Sequence, residues 1–299
     1  MTKTTTFNVC VPATSANLGT GFDSLGLALD LFASIEISFE SEILKTNSTG
    51  GERLVLEAIQ EFYNTIKKTP PKVCIKYKTA LPLGRGLGSS ASARVGGIMA
   101  ANKFEGEPLN KEDCLTLATK LEGHPDNACP ALFGGIQVCV KKGDDSFLHS
   151  ACQYPDLLIA LLIPDKGLAT SKARNILPPQ YSAEDAIHNS SHLALLVNAL
   201  AENRIDLLDE AMNDRFHQPY RSKLFPPLYD LFSVAKEAGA ITAWLSGAGS
   251  SVAAFCGDQE KANSAATAML NSLENIGLQG KTIITKISQK GAYFEDIRP

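Results

Sequence analysis

The stretch LPLGRGLGSSASA, Leu81 to Ala93, constrains the fold of this chain more than any other. Its glycines at alternate positions, Gly84, Gly86 and Gly88, allow positive φ and let the backbone come close to whatever faces it. Val73 to Tyr77 alternates as a strand does and leads into the loop, and Ser89 to Ala101 reads as a helix of small residues able to pack closely on its neighbours. A strand, a glycine loop and a helix start in succession aim several N–H groups at one point, where the helix dipole favours an anion. Phosphate is the expected occupant, and a side chain added at Gly88 is expected to stand where a phosphate oxygen belongs.

Two common phosphate loops do not fit. A P-loop needs a Lys directly after its last glycine, and Ser89 stands there. A dinucleotide loop needs an acidic residue on a strand about 20 residues further on. Glu105 and Glu107 fall near that distance but lie in KFEGEPLN, which is no buried strand.

With 299 residues the chain exceeds the size at which one core begins to split, so two lobes are expected. Phe7 to Val11 and Leu25 to Phe39 read as strands joined by the small, polar segment PATSANLGTGFDS. Helices are expected from Leu54 to Ile66 and from Asp113 to Leu121, and a strand from Gly134 to Val140. The pattern restarts near residue 155 with Leu157 to Ile163, the expected lobe boundary. Helices over Ala183 to Leu200, Ile205 to Asn213, Leu228 to Ala238 and Gln259 to Leu273 then mix with strands Ala240 to Leu245, Val252 to Cys256 and Thr282 to Ile287. A second glycine-serine turn, SGAGSS, joins two of these strands.

A net charge of −4 and the lack of a Lys/Arg run argue against nucleic acid as a partner. The apolar run Leu157 to Ile163 is far short of the roughly 20 residues of a membrane helix, so no membrane partner is expected. The start MTKTTTFNVCVP shows no export signal, and seven scattered cysteines suit reduced thiols, together implying a cytoplasmic protein.

Three ordered motifs carry a resemblance. LPLGRGLGSSASA resembles the signature loop of the GHMP kinases, VPATSANLGTGFDSLGLALDL their N-terminal motif and AWLSGAGSSVAAFC their C-terminal motif. Within that superfamily, Asn17, Gly19, Gly21, Phe22 and Asp23, together with LEGHPDNACPALFGG, TSKARNILP and DRFHQPYR, are similar to the homoserine kinases. Ser250 departs from the pattern, where proline is common, a change that touches turn stiffness more than chemistry.

The resemblance implies an α+β, two-lobed fold. Residues 1–155 would form an ATP-binding lobe like ribosomal protein S5, residues 156–299 a ferredoxin-like lobe, and the active site would lie between them. It implies transfer of the γ-phosphoryl of ATP to the side-chain hydroxyl of L-homoserine, on the way to threonine, with Mg²⁺ as cofactor. Pro82, Leu83, Gly84, Arg85, Gly86, Leu87, Gly88, Ser89, Ser90, Ala91 and Ser92 would hold the nucleotide, and Ser90 and Glu122 the metal. Asp23 would accept from the substrate ammonium, Asn17 and Asn127 would hold the hydroxyl, and Arg174 and Arg221 would meet the carboxylate. Thr170, one turn before Arg174, shares its face, and His124 and Gly247 complete the substrate set. Asn17, Asp126, Asn127 and Arg174 are the expected catalytic residues; Asp126 and His124 raise the question of a general base, which stays open. Another small-molecule kinase of the superfamily, or an inactive ATP-binding sensor, stands as the alternative. The partner is a small-molecule substrate, and a homodimer is left open.

Overall fold

A computed structural model describes residues 4–40, 50–79, 83–143 and 146–295. β1 (Thr5–Ala16) and β2 (Leu25–Phe39) pair antiparallel from Thr5 opposite Phe39 to Ala16 opposite Gly26, with a register shift between Pro12 and Ala13. The first five residues of the expected connection PATSANLGTGFDS, Pro12 to Ala16, are therefore strand. The small side chains of Ala13 to Ala16 are buried there, and the Thr14 N–H donates to the Leu87 carbonyl at 3.2 Å, so the strand end lies under the glycine loop.

The chain then forms α1 (Gly51–Thr65), β3 (Val73–Lys78), α2 (Ser89–Phe104), α3 (Lys111–Glu122), α4 (Pro125–Phe133), β4 (Ile136–Lys142) and β5 (Ser146–Cys152). The helices cover one face of the first sheet, where Val11, Ile35 and Ile37 meet Val55, Ile98 and Leu132 in one apolar cluster. The small residues of α2 do what their size suggests. A Cβ on Gly96 would come within 2.3 Å of Ile35, and one on Gly97 within 2.7 Å of the Val55 carbonyl, so α2 lies closer to β2 and α1 than a larger residue permits. Glycine in a helix interior costs about 0.5–1 kcal/mol relative to alanine, and the tight contact offsets that cost.

The second half comprises β6 (Leu158–Pro164), α5 (Thr170–Asn175), α6 (Ala183–Ala201), a 3-10 turn at Ile205–Leu207, α7 (Leu208–Ala211), α8 (Gln218–Arg221), α9 (Leu228–Glu237), β7 (Thr242–Leu245), β8 (Val252–Cys256), α10 (Gln259–Asn275), β9 (Gly280–Lys286) and β10 (Tyr293–Glu295). The expected helix from Ile205 to Asn213 is thus broken into two short turns. The second sheet is antiparallel with strand order β7-β8-β6-β9, and α9 and α10 pack on one of its faces. Its other face, through Leu161, Trp244 and Phe255, packs against Leu25, Leu27 and Leu29 of β2, so one core bridges the two sheets. The last strand returns to the first sheet and pairs with β1, giving the order β10-β1-β2-β4-β5 with β3 also on β2. All seven cysteines are free thiols.

Candidate active site

The glycine loop is held by its oxygen atoms. The Arg85 carbonyl accepts from the Ser251 N–H (3.2 Å), the Gly86 carbonyl from Ser246 Oγ (2.6 Å), and the Leu87 carbonyl from the Thr14 N–H (3.2 Å). In a trans peptide the N–H points opposite to its C=O. Three successive carbonyls fixed on β1 and on the SGAGSS turn therefore direct the N–H groups of Gly86, Leu87 and Gly88 the other way. Gly88, in the left-handed region at φ +63°, caps α2 without a side-chain bond, so the first turn of that helix joins the same array. This is the geometry of an anion site.

The glycine requirement at Gly86 and Gly88 has a different origin from the one expected. A Cβ at Gly88 would meet Thr14 Oγ1 at 1.8 Å and one at Gly86 the Ser246 carbonyl at 2.0 Å, whereas one at Gly84 meets nothing within 4 Å. The space a side chain would take at Gly88 belongs to the protein, not to a phosphate oxygen.

A cleft of about 330 Å³ opens beside this loop. It is lined by Gly84, Gly86, Leu87, Gly88, Ser89 and Ser90 on the loop side, and by Asn17, Asp23, Glu122, His124, Asp126, Asn127, Thr170, Arg174, Arg221 and Gly247 beyond it. Pro82 lies outside the described residues. Leu83, Arg85, Ala91 and Ser92 are not among the lining residues. The Arg85 guanidinium donates to the carbonyls of Pro164 (3.0 Å), Asp165 and Leu83 (3.2 Å), stapling the loop to the end of β6. Ala91 is buried, and Ser92 Oγ donates to the Pro12 carbonyl at 2.8 Å.

Glu122 ends α3, which starts with an Asn110–Asp113 capping box and stops at Gly123 in the left-handed region. A carboxylate at a helix C-terminus is mildly unfavourable by itself. Here Ser90 Oγ donates to its Oε2 at 3.0 Å and Arg94 forms an ion pair with its Oε1. Oxygen ligands few in number suit a magnesium ion that keeps several waters, and the Ser90 and Glu122 oxygens fit that description beside the phosphate loop. Arg94 was not foreseen. Its signal was the one charge between Ser89 and Ala101, four residues after Ser90.

The turn from Gly123 to Asn127 brings His124, Asp126 and Asn127 into the cleft. Asp126 and Asn127 are buried, and Asn127 accepts from Thr14 Oγ1 at 2.8 Å while donating to Asp126 Oδ1 at 3.2 Å. His124 Nδ1 also bonds Asp126 Oδ1. Burial alone would lower the His124 pKa, but the charge and hydrogen bond of Asp126 outweigh it and hold the imidazole above its ordinary value. Ligand atoms of Asp23, His124 and Asp126 lie within 4.8 Å of one another, the one such cluster among the described residues. Asp23 is already held by Arg174 and Asp126 by His124.

Asn17 and Asp23 both adopt positive φ, +75° and +55°, a conformation that a short amide or carboxylate side chain tolerates. The Asn17 amide is engaged at both its nitrogen and its oxygen, donating to the Gly247 carbonyl (3.0 Å) and accepting from the Asp23 N–H (3.1 Å). Arg174 grips Asp23 with two bonds of 2.9 and 2.7 Å. Arg221 is 2% exposed and donates to the Gly247 carbonyl at 2.9 Å and to His217 Nδ1 at 3.2 Å. Burial, reinforced by the charge of Arg174 and opposed by Asp23, lowers its pKa to about 10. The Phe22 ring lies 5.7 Å from the Arg174 guanidinium and 5.2 Å from that of Arg221. His217, also unforeseen, stacks on Phe22 and donates from Nε2 to the Gly19 carbonyl, and burial pushes its pKa down.

Comparison with known proteins now bears on this arrangement. The GHMP kinases N terminal domain matches residues 53–135 and the GHMP kinases C terminal domain residues 196–275. A homoserine kinase of Synechocystis sp. is 38% identical over 98% of this chain and 99% of its own length. The chain belongs to the homoserine kinase family of the GHMP kinases. A second family member, from Gloeobacter violaceus, is 45% identical over 83% of this chain and 86% of its own. The crystal structure of homoserine kinase from Cytophaga hutchinsonii superposes with a TM-score of 0.86 at 28% identity, covering 97% of each chain. The α+β, two-lobed GHMP fold expected from the motifs is thus the fold of this protein.

Proposed function

We propose that this protein transfers the γ-phosphoryl group of ATP to the side-chain hydroxyl of L-homoserine, giving O-phospho-L-homoserine and ADP. The observation that carries the reading is one cleft with two unlike ends. One end is a glycine loop with its N–H groups turned outward. The other holds Asp23 between Arg174 and the carboxylate of Asp126, with the buried Arg221 alongside. A zwitterion has its complement there, the ammonium at Asp23 and the carboxylate at the two guanidiniums. A sugar or a mevalonate carries no ammonium to compensate Asp23.

Phosphoryl transfer depends mainly on positioning and charge neutralisation. In this reading the loop N–H groups cradle the phosphates, and Ser90 and Glu122 would hold Mg²⁺, which would supply charge neutralisation for the transferred group. Asn17 and Gly247 fix the floor of the amino-acid end through their mutual bond. Asn127, locked by Thr14, positions the hydroxyl, whose oxygen forms the new P–O bond while its proton passes to the Asp126 carboxylate. A loose transition state asks for that proton late, so Asp126 acts more by orientation than by basicity. The lobe boundary falls near residue 155, with β10 returning from the second half to complete the first lobe's sheet, and the enzyme is cytoplasmic and serves threonine biosynthesis. No helix among the described residues is long and apolar enough to cross a membrane.

A coupled ADP-release assay with homoserine, threonine, serine, mevalonate and galactose tests this. Homoserine is expected to be the preferred acceptor by a wide margin. Turnover of galactose or mevalonate in its place would move the protein to another branch of the superfamily, and ATP binding without any turnover would make it a sensor.

A further inference from the structure

The phosphate side of the cleft contains a cation that the glycine loop does not supply. Among the described residues that line the cleft, the guanidinium side chains are Arg94, Arg174 and Arg221. The latter two stand at the amino-acid end, and Arg85 is turned onto backbone carbonyls. Arg94 lies one turn after Ser90 on α2, so both reach Glu122 from the same face. The Glu122 side chain is 7% exposed and that of Arg94 18%, so the pair is largely shielded from solvent.

The pair is incomplete as a structural salt bridge. A guanidinium offers five N–H donors in a planar fork that suits two-point binding of carboxylate or phosphate. Arg94 gives Nη1 to Glu122, while its Nε is buried without a hydrogen-bond partner. Nε is sealed from the cleft as well as unpaired, so contact with a ligand falls to the rest of the fork, on a side chain that lines the cleft and keeps 18% of its surface exposed. A triphosphate entering this cleft would also bring several negative charges towards Glu122, and no loop lysine stands ready to meet them.

We propose that Arg94 is a phosphate-binding residue, its guanidinium contacting the nucleotide polyphosphate directly beside whatever divalent cation Ser90 and Glu122 hold. Two cations then share one carboxylate, and Arg94 gives the site an affinity for nucleotide that does not depend on metal. This rests on the reading that the nucleotide phosphates lie on the glycine loop.

The test is ATP binding by titration calorimetry, with EDTA and with Mg²⁺, on the full chain and four variants. In EDTA, Arg94→Met should weaken ATP binding by about tenfold or more, the effect of losing one charge-assisted hydrogen bond. Arg94→Lys keeps the charge without the fork and should lose less. Glu122→Gln should bind metal-free ATP at least as tightly as the parent, because the guanidinium is released from its carboxylate. The double variant Arg94→Met/Glu122→Gln has no unpaired carboxylate left, yet it should remain as weak as Arg94→Met. Recovery of parental affinity in the double variant would reduce Arg94 to a partner of Glu122, and equal affinities of the parent and Arg94→Met would overturn the proposal while leaving the loop reading intact. A parent chain that binds no ATP in either buffer would overturn both. Should Arg94→Met fail to fold, Arg94→Lys decides, since weaker metal-free binding than the parent is required and parental affinity would overturn the proposal.

Discussion

Arg174 and Arg221 flank the same Phe22 ring but sit in different surroundings, and the difference sets what each substitution should do. Arg174 is partly exposed and already faces a carboxylate, so Arg174→Ala removes a half-solvated ion pair of the kind worth at most about 1 kcal/mol to stability. Arg221 is buried against neutral acceptors, so Arg221→Ala also opens a hole beside His217 and Gly247. If both bind the substrate carboxylate, truncating either leaves that charge under-paired at a cost of roughly 2–5 kcal/mol. Catalytic efficiency on homoserine should then fall about 30-fold or more, since about 1.4 kcal/mol is a factor of ten. L-homoserinol keeps the amine and hydroxyl and lacks the carboxylate. Its turnover should change little in Arg174→Ala, and equal losses on the two compounds would assign the arginine a structural role. Thermal unfolding should separate the two variants, with only Arg221→Ala clearly destabilised.

At the scale of elements, α2 and its loop were legible because glycine and small residues announce close packing directly. α4 was not. Pro125 suits the first turn of a helix, but Pro130 inside it is a helix-breaking sign, yet nine residues from Pro125 to Phe133 are helical. The reason is tertiary. Pro130 has no N–H to offer the Asp126 carbonyl four residues earlier, and that carbonyl instead lies against Gly26 of β2, where a Cβ would come within 1.7 Å of it. Single-residue patterns cannot show such a contact, since its two halves are a hundred residues apart. For the same reason only motif resemblance points to Arg174 and Arg221, and no local pattern pairs Arg94 with Glu122, 28 residues further on. Gly26→Ala tests the account. It should push α4 off β2 and carry Asp126 and Asn127 with it, so turnover should drop by at least tenfold, as a displacement of about 1 Å at a reacting centre can cost a hundredfold. Gly106→Ala, which unlike Gly26 stands at positive φ but has nothing within 4 Å of its Cβ, is the control, and it should show only the mild destabilisation of a strained φ. Similar turnover in the two variants would mean that the Gly26 contact does not position the site.

For the whole molecule, the decisive feature is that the cleft lies where the two sheets are sewn together. The Trp244 Nε1–H of β7 donates to Ser15 Oγ of β1 at 3.0 Å, the Gly247 N–H to the Ala16 carbonyl at 3.1 Å, His217 Nε2 to the Gly19 carbonyl at 2.8 Å, and Thr20 Oγ1 to the Ala211 carbonyl at 2.9 Å. Beneath these bonds runs the apolar core shared by β2 and the second sheet. Neither half can bury that core alone, so the lobes should unfold together, although a chain of this length often unfolds in stages. The sequence contains one tryptophan, and it stands at this seam, so its fluorescence reports the junction while far-UV circular dichroism reports both halves. In urea the two signals should trace one transition. Ser15→Ala withdraws the acceptor from the buried indole N–H, at a cost of about 1–3 kcal/mol, and should move both curves to lower urea by the same amount with unchanged slope. A fluorescence change that precedes the loss of ellipticity, or a Ser15→Ala shift confined to fluorescence, would show that the lobes are separately stable and that the cleft between them opens without unfolding.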